Sequence, residues 1–199
     1  MAESLFFDHL SQLIGYTSAD AGAVSAKIAD TYRGHSALAT AELDEIESIA
    51  DEKTAHLIRL CYALAERRIT DSFRFGISHT EQEIVRYFKA KFYVMARETS
   101  YVMLFDKNDK VIGCEYLGDG TVNFLAVSPR RVLEIAIKKK AASVIIAHNH
   151  PGGLPNPSCE DIEATHAIAA LFEESGRRVR AHYVFAGDKH GVIIPTERE

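Results

Sequence analysis

The chain has 199 residues and a formal charge of −5, from 23 lysine and arginine residues against 28 aspartate and glutamate residues. This length allows one hydrophobic core of good size, or one domain with a small companion, and the acidic balance gives no electrostatic reason to expect nucleic acid as a partner. No apolar run approaches the length of a membrane span, and no basic stretch precedes an apolar one at the N-terminus. The three cysteines are too scattered for a disulfide framework. We therefore expect a cytoplasmic protein without membrane contact.

Residues 1–77 are predicted to form a small all-helical domain and a linker. Apolar residues recur at three- and four-residue steps, and this period predicts helices over 5–14, 21–32, 41–50 and 53–67. The apolar stripe of the last helix consists of Leu57, Leu60, Cys61 and Leu64. A stripe of this kind usually indicates packing against another helix. Residues 71–77 are predicted to be the linker.

Residues 78–199 are predicted to form a second domain in which strands alternate with helices. Strands are predicted over 101–105, 110–117, 122–127, 143–147, 179–186 and 192–194. Helices are predicted after the capping box of Thr80 and Glu83, after Ser128-Pro129, and over 162–172. This alternation predicts an α/β sandwich around one mixed β-sheet.

The most informative stretch is the apolar strand that ends in His148, Asn149 and His150. Side chains alternate faces along a strand, so the two histidines are expected to point the same way and Asn149 to point away. A loop with three of the five prolines then leads to Ser158 and Asp161, at the start of a helix. Two imidazoles and one carboxylate can bind a zinc ion and leave one position open for water.

Simpler interpretations of the same residues have to be weighed. Ser158 and Asp161 also fit a helix-capping pattern, although a cap and a metal ligand can coexist. A single histidine is usually a surface or core residue, but two on one face followed by an acid favour a metal site. The letters His-Asn-His also occur in HNH nucleases, whose ββα-metal arrangement does not suit a buried strand.

This stretch resembles the zinc signature of the JAMM (MPN+) metalloproteases, in which His-x-His is followed by seven residues, a serine, two residues and an aspartate. Residues 147–162 resemble the RadC family in the string Ala-His-Asn-His-Pro-x-Gly-x-Pro-x-Pro-Ser-x-x-Asp-Ile. The similarity covers roughly residues 78–195. The resemblance implies a JAB/MPN-like sandwich and a Zn²⁺-dependent metallopeptidase or isopeptidase that cleaves a peptide or other amide. His148, His150 and Asp161 would be the metal ligands.

The resemblance also implies a catalytic glutamate on an earlier strand. Glu115 is the match, because it is the only acid in the apolar stretch 111–117, although an outward-facing surface glutamate is the alternative there. Glu115 would act as the base that takes a proton from water. Ser158 would stabilise the developing oxyanion.

The chain departs from the RadC pattern in its N-terminal segment. Relatives carry a helix-hairpin-helix there with a Gly-x-Gly turn near a DNA phosphate, whereas 48–50 reads Ser-Ile-Ala and two acids follow. Residues 1–70 hold 6 Lys/Arg and 11 Asp/Glu. We therefore expect a degenerate module for helix packing or partner docking, since phosphate binding needs close backbone approach and positive charge.

Three further departures lie near the site. His182 matches a strand histidine of RadC relatives, but Ala181 precedes it where an aspartate is usual, and Gly152 and Leu154 replace Ser and Asp. These changes leave the ligands intact and put substrate contacts in doubt. The alternative function is a non-hydrolytic RadC-like protein associated with DNA repair or recombination, in which the metal is structural.

Overall fold

The structure is a computed structural model that describes residues 2–32, 35–93, 95–120, 128–151 and 153–195. Its α-helices are α1 (Ala2–Ile14), α2 (Ala21–Tyr32), α3 (His35–Thr40), α4 (Leu43–Glu47), α5 (Glu52–Ser72), α6 (Glu81–Phe92), α7 (Pro129–Lys138) and α8 (Cys159–Glu174). Its strands are β1 (Thr99–Phe105), β2 (Val111–Asp119), β3 (Ser143–Asn149), β4 (Arg178–Ala186) and β5 (Lys189–Ile193).

The five strands form one mixed sheet in the order β2-β1-β3-β4-β5, in which β3 and β4 are parallel and every other pair is antiparallel. The central strand β3 is buried along its whole length, as its continuous apolar run predicts. Ser100 of β1 lies opposite His148 of β3, and this register fixes which residues meet at the site.

Helices cover both faces of the sheet, and each face has its own core. On one face, α6 packs through Ile84 and Phe88 against β1, β3 and β4. On the other face, α7 and α8 pack through Val132, Ile168 and Phe172 against the opposite side of the same strands. The predicted α/β sandwich around a mixed sheet is therefore confirmed.

The helices α1 to α5 share a separate core that includes Ile14, Ile28, Ile46 and Ile58. The stripe predicted on α5 is only partly buried: Leu57 and Cys61 are half-buried, whereas Leu60 and Leu64 are 55% and 60% exposed. Within the described ranges, no helix combines the length and apolar character needed to cross a bilayer. The cytoplasmic location stays a prediction.

Most predicted elements are present, with different ends. The helix predicted over 41–50 is present but shorter, as α4, because Glu42 adopts an extended backbone and caps it. The helix α3 was not predicted. The helix α5 continues to Ser72, into the predicted linker. The strand predicted over 122–127 lies outside the described residues. The strand β3 extends to Asn149, so His148 belongs to the sheet itself.

Candidate metal centre

The strand β3 and its end place two histidines on one face of the sheet. His148 is completely buried between Ser100 of β1 and Val184 of β4. His150 follows the last strand residue, and its backbone N–H donates to the carbonyl of Phe185 at 2.7 Å, which continues the pairing with β4. Their Nε2 atoms lie 2.9 Å apart. The intervening Asn149 faces the other side, as predicted, where its side-chain oxygen accepts the N–H of Thr99.

The loop after β3 orients the ring of His150. The backbone N–H of Gly153 donates to the carbonyl of His150 at 3.1 Å, and Nδ1 of His150 lies 3.0 Å from the carbonyl oxygen of Leu154. A carbonyl can only accept, so Nδ1 carries the hydrogen and Nε2 of the neutral ring keeps its lone pair. The loop therefore presents Nε2 of His150 toward His148 as a metal-binding atom.

The start of α8 supplies a carboxylate to the same point. Ser158 is the N-cap residue: its Oγ accepts from the N–H of Asp161 at 3.1 Å, and its N–H and O–H both donate to Oδ2 of Asp161. This capping box holds the Asp161 side chain rigidly. Its Oδ1 lies 3.3 Å from Nε2 of His148, and its Oδ2 lies 3.7 Å from Nε2 of His150. The cap and the carboxylate site coexist in one turn of helix.

A second carboxylate, Glu98, reaches the two histidines from β1. Ligand atoms of Glu98, His148 and His150 all lie within 4.8 Å of one another, and this group could hold a metal ion. The β1–β3 register explains the meeting: Ser100 is opposite His148, so Glu98, two residues earlier, falls opposite His150 on the same face. The sequence prediction missed Glu98. The available signal was its position directly before a buried strand.

Glu115 lies apart from this group. It is on β2 opposite Val102, which in turn pairs with Ile146, so two strand spacings separate it from β3. The spacing of strands and residues puts its Cα roughly 12 Å from that of His148. Its carboxylate is instead 2.6 Å from the ammonium group of Lys139, at the end of α7. This placement corrects the expectation that Glu115 stands beside the metal.

Two pKa shifts mark the centre. Burial alone would raise the pKa of the Asp161 carboxyl, but the hydrogen bond and charge of a protonated His148 ring, together with the hydrogen bonds from Ser158, outweigh it and hold that pKa below its usual range. Burial, reinforced by the charge of His148, lowers the pKa of His182 to about 3. Asp161 is therefore ionised at neutral pH, and His182 is an uncharged neighbour of the centre.

These residues fit a tetrahedral zinc ion. Metal–ligand bonds of about 2.0–2.2 Å at tetrahedral angles place neighbouring ligand atoms roughly 3.3–3.5 Å apart. Nε2 of His148 lies 2.9 Å from Nε2 of His150 and 3.3 Å from Oδ1 of Asp161, and the other carboxylate oxygen of Asp161, Oδ2, lies 3.7 Å from Nε2 of His150. These separations are close to that range. Two imidazole nitrogens and a carboxylate are also ligands that zinc prefers.

Comparison with known proteins agrees with this fold. Residues 78–194 match the family model described as the RadC-like JAB domain. A UPF0758 protein of Syntrophotalea carbinolica is 30% identical over 181 residues, which is 90% of this chain and 79% of the relative. A UPF0758 protein of Caldanaerobacter subterraneus is 28% identical over 188 residues, or 92% and 80% of the two chains. The chain therefore belongs to the RadC family of the JAMM/MPN superfamily, with a JAB domain that carries a candidate metal site.

Proposed function

We propose that the protein is a zinc-dependent hydrolase that cleaves an amide bond, as a metallopeptidase or isopeptidase. The observation that carries this proposal is the convergence of three side chains, those of His148, His150 and Asp161, whose Nε2 and carboxylate oxygen atoms lie 2.9 to 3.7 Å apart. Three protein ligands leave a tetrahedral ion one open position, which distinguishes catalytic from structural zinc sites.

The ligands hold the ion between two rigid elements, the buried strand β3 and the capped start of α8. Zinc bound there would make a water molecule more acidic and polarise the scissile carbonyl. Because Asp161 stays ionised well below neutral pH, it balances part of the metal charge throughout the physiological range.

Glu98 takes the role of general base in this proposal, in place of Glu115. A base has to sit one water molecule away from the ion, and Glu98 approaches the histidine nitrogens to within 4.8 Å. Its carboxylate would accept a proton from the attacking water and later deliver it to the leaving amine. Its backbone is held because its carbonyl accepts the N–H of Gly120 at 2.7 Å.

Ser158 remains the proposed oxyanion donor. Its hydroxyl hydrogen is engaged by Oδ2 of Asp161 at 2.7 Å, so donation to a substrate oxygen requires the O–H bond to turn. The expected contribution is smaller than that of a donor already aimed at the substrate. The proposed substrates are peptides, isopeptides or small amides, and α1 to α5 are proposed to dock a partner.

Zinc content provides the first test. Purified wild-type protein should contain about one zinc ion per chain, and the double variant His148→Ala/His150→Ala should contain almost none. His166→Ala is the matched control, because His166 is an exposed histidine of α8 and its loss should leave the metal in place.

Activity is then measured against peptide and isopeptide libraries. Cleavage should disappear with a chelator, return with added zinc, and be absent from the double variant. A wild-type protein without zinc, or zinc that survives the double substitution, would contradict the proposal.

A further inference from the structure

A chain of buried hydrogen bonds starts at His148 and leads away from the metal centre. Nδ1 of His148 lies 2.8 Å from Nε2 of His182 on β4, which is only 2% exposed. Nδ1 of His182 lies 2.6 Å from Oγ1 of Thr165, a completely buried residue of α8. Thr165 in turn donates its hydroxyl to the backbone carbonyl of Asp161 at 2.5 Å.

The direction of every bond in this chain follows from its last member. The carbonyl of Asp161 can only accept, so the Thr165 hydroxyl uses its hydrogen there and accepts from Nδ1–H of His182. The ring of His182 is buried and its two nitrogens face His148 and Thr165, and burial favours the neutral ring, which carries one hydrogen. Its Nε2 must therefore accept, and His148 must donate from Nδ1.

The consequence for His148 is that Nε2 is the ring atom left for a metal ion. This nitrogen faces Nε2 of His150 and Oδ1 of Asp161. With the opposite tautomer of His148, Nε2 would carry a hydrogen and could not bind zinc. The chain also closes on itself, because Thr165 is anchored to the backbone of Asp161, which belongs to the same ligand set.

We infer that His182 and Thr165 are positioning residues that fix the tautomer and ring orientation of His148 for metal binding. The inference rests on the proposed function, because it assumes zinc at this centre. Partners that hold a metal-bound histidine in this way typically change metal affinity by about 10- to 100-fold when they are removed. Neither residue belongs to the proposed ligand set.

The test compares Thr165→Val with Thr165→Ser in the full chain. Valine keeps the volume of the side chain but offers no acceptor for Nδ1–H of His182. The hydrogen of His182 would then move to its Nε2 and be donated to Nδ1 of His148. His148 would in turn carry its own hydrogen on Nε2. Zinc affinity, measured by competition with a chelator, should fall by about 10- to 100-fold in Thr165→Val and stay within about threefold of wild type in Thr165→Ser. Equal affinity of wild type and Thr165→Val would overturn the inference.

A spectroscopic measurement on the wild-type protein decides the question even if Thr165→Val does not fold. Long-range ¹H–¹⁵N NMR of the zinc-loaded protein should show His182 protonated at Nδ1 and His148 protonated at Nδ1 with Nε2 bound to metal. A hydrogen on Nε2 of His182 would refute the inference while leaving the proposed function intact. Wild-type protein that binds no zinc would refute both.

Discussion

Substitution of Glu98 by glutamine tests the base of the proposed reaction. Glutamine keeps the size of the side chain but cannot take a proton, and the backbone of residue 98 stays held by Gly120. General base catalysis typically contributes about 10²- to 10⁴-fold to the rate. We therefore expect kcat to fall by that factor, which corresponds to about 2.7–5.5 kcal/mol in the activation free energy.

The metal should remain, because His148, His150 and Asp161 are unchanged in Glu98→Gln. Zinc content by elemental analysis and kcat on a cleaved peptide are measured on the same preparation. Loss of zinc together with activity would show instead that Glu98 is a metal ligand. Retained activity with zinc bound would refute the reasoning that makes it the base.

Glu115→Gln is the matched control for this substitution. It removes the ion pair with Lys139, whose two side chains are about half exposed, 47% for the lysine and 37% for the glutamate. Exposed pairs of this kind contribute about 0–1 kcal/mol to stability. Both kcat and zinc content should therefore stay within about twofold of wild type, and a loss of activity confined to Glu115→Gln would reverse the two assignments.

Three further substitutions test the loop beside the centre, the core under α8 and the cap of α5. Gly191→Ala should weaken zinc binding, measured by chelator competition. A Cβ atom at residue 191 would overlap the carbonyl oxygen of Pro155 and push the loop after β3 away from the centre. Unchanged zinc affinity would contradict this reasoning. Phe172→Ala should lower the free energy of unfolding by about 3–5 kcal/mol in denaturant titrations, because Phe172 is completely buried and holds α8 to the sheet. Leu64→Ala is the control and should change this free energy little, because Leu64 is exposed. Asp51→Ala should lower the melting temperature at neutral pH but not at pH values well below the ordinary carboxyl pKa of 3.8. Hydrogen bonds from the side chain and backbone of Thr54 lower the pKa of Asp51. The ionised Asp51 therefore stabilises the fold above pH 3.8, and this stabilisation is lost as the pH falls through the lowered pKa. An equal change in melting temperature at both pH values would exclude the charged cap.

The strand β3 and the helix start at Ser158 were predictable because their signals are local. A continuous apolar run indicates a buried strand, alternation puts His148 and His150 on one face, and the capping box of Ser158 and Asp161 needs only four consecutive residues. The start of the helix predicted over 41–50 was placed two residues too early. Helical periodicity cannot show that Glu42 adopts an extended backbone.

The glutamate near the centre was not predictable in the same way. Glu98 directly precedes an apolar strand, and Glu115 lies within one. In the sequence they are 50 and 33 residues from His148, respectively. Strand order decides between them: β1 is the neighbour of β3 and β2 is one strand further out. Residue pattern gives the faces of a strand but neither its neighbour nor its register.

The sequence alone determined the types and spacing of the proposed ligands and the α/β architecture, because these depend on side-chain chemistry and on contacts between near neighbours in the chain. The tertiary structure decided which carboxylate meets the two histidines and that His182 and Thr165 stand behind His148. These relations join β1, β3, β4 and α8, and only the packed sheet brings such distant segments within hydrogen-bonding distance.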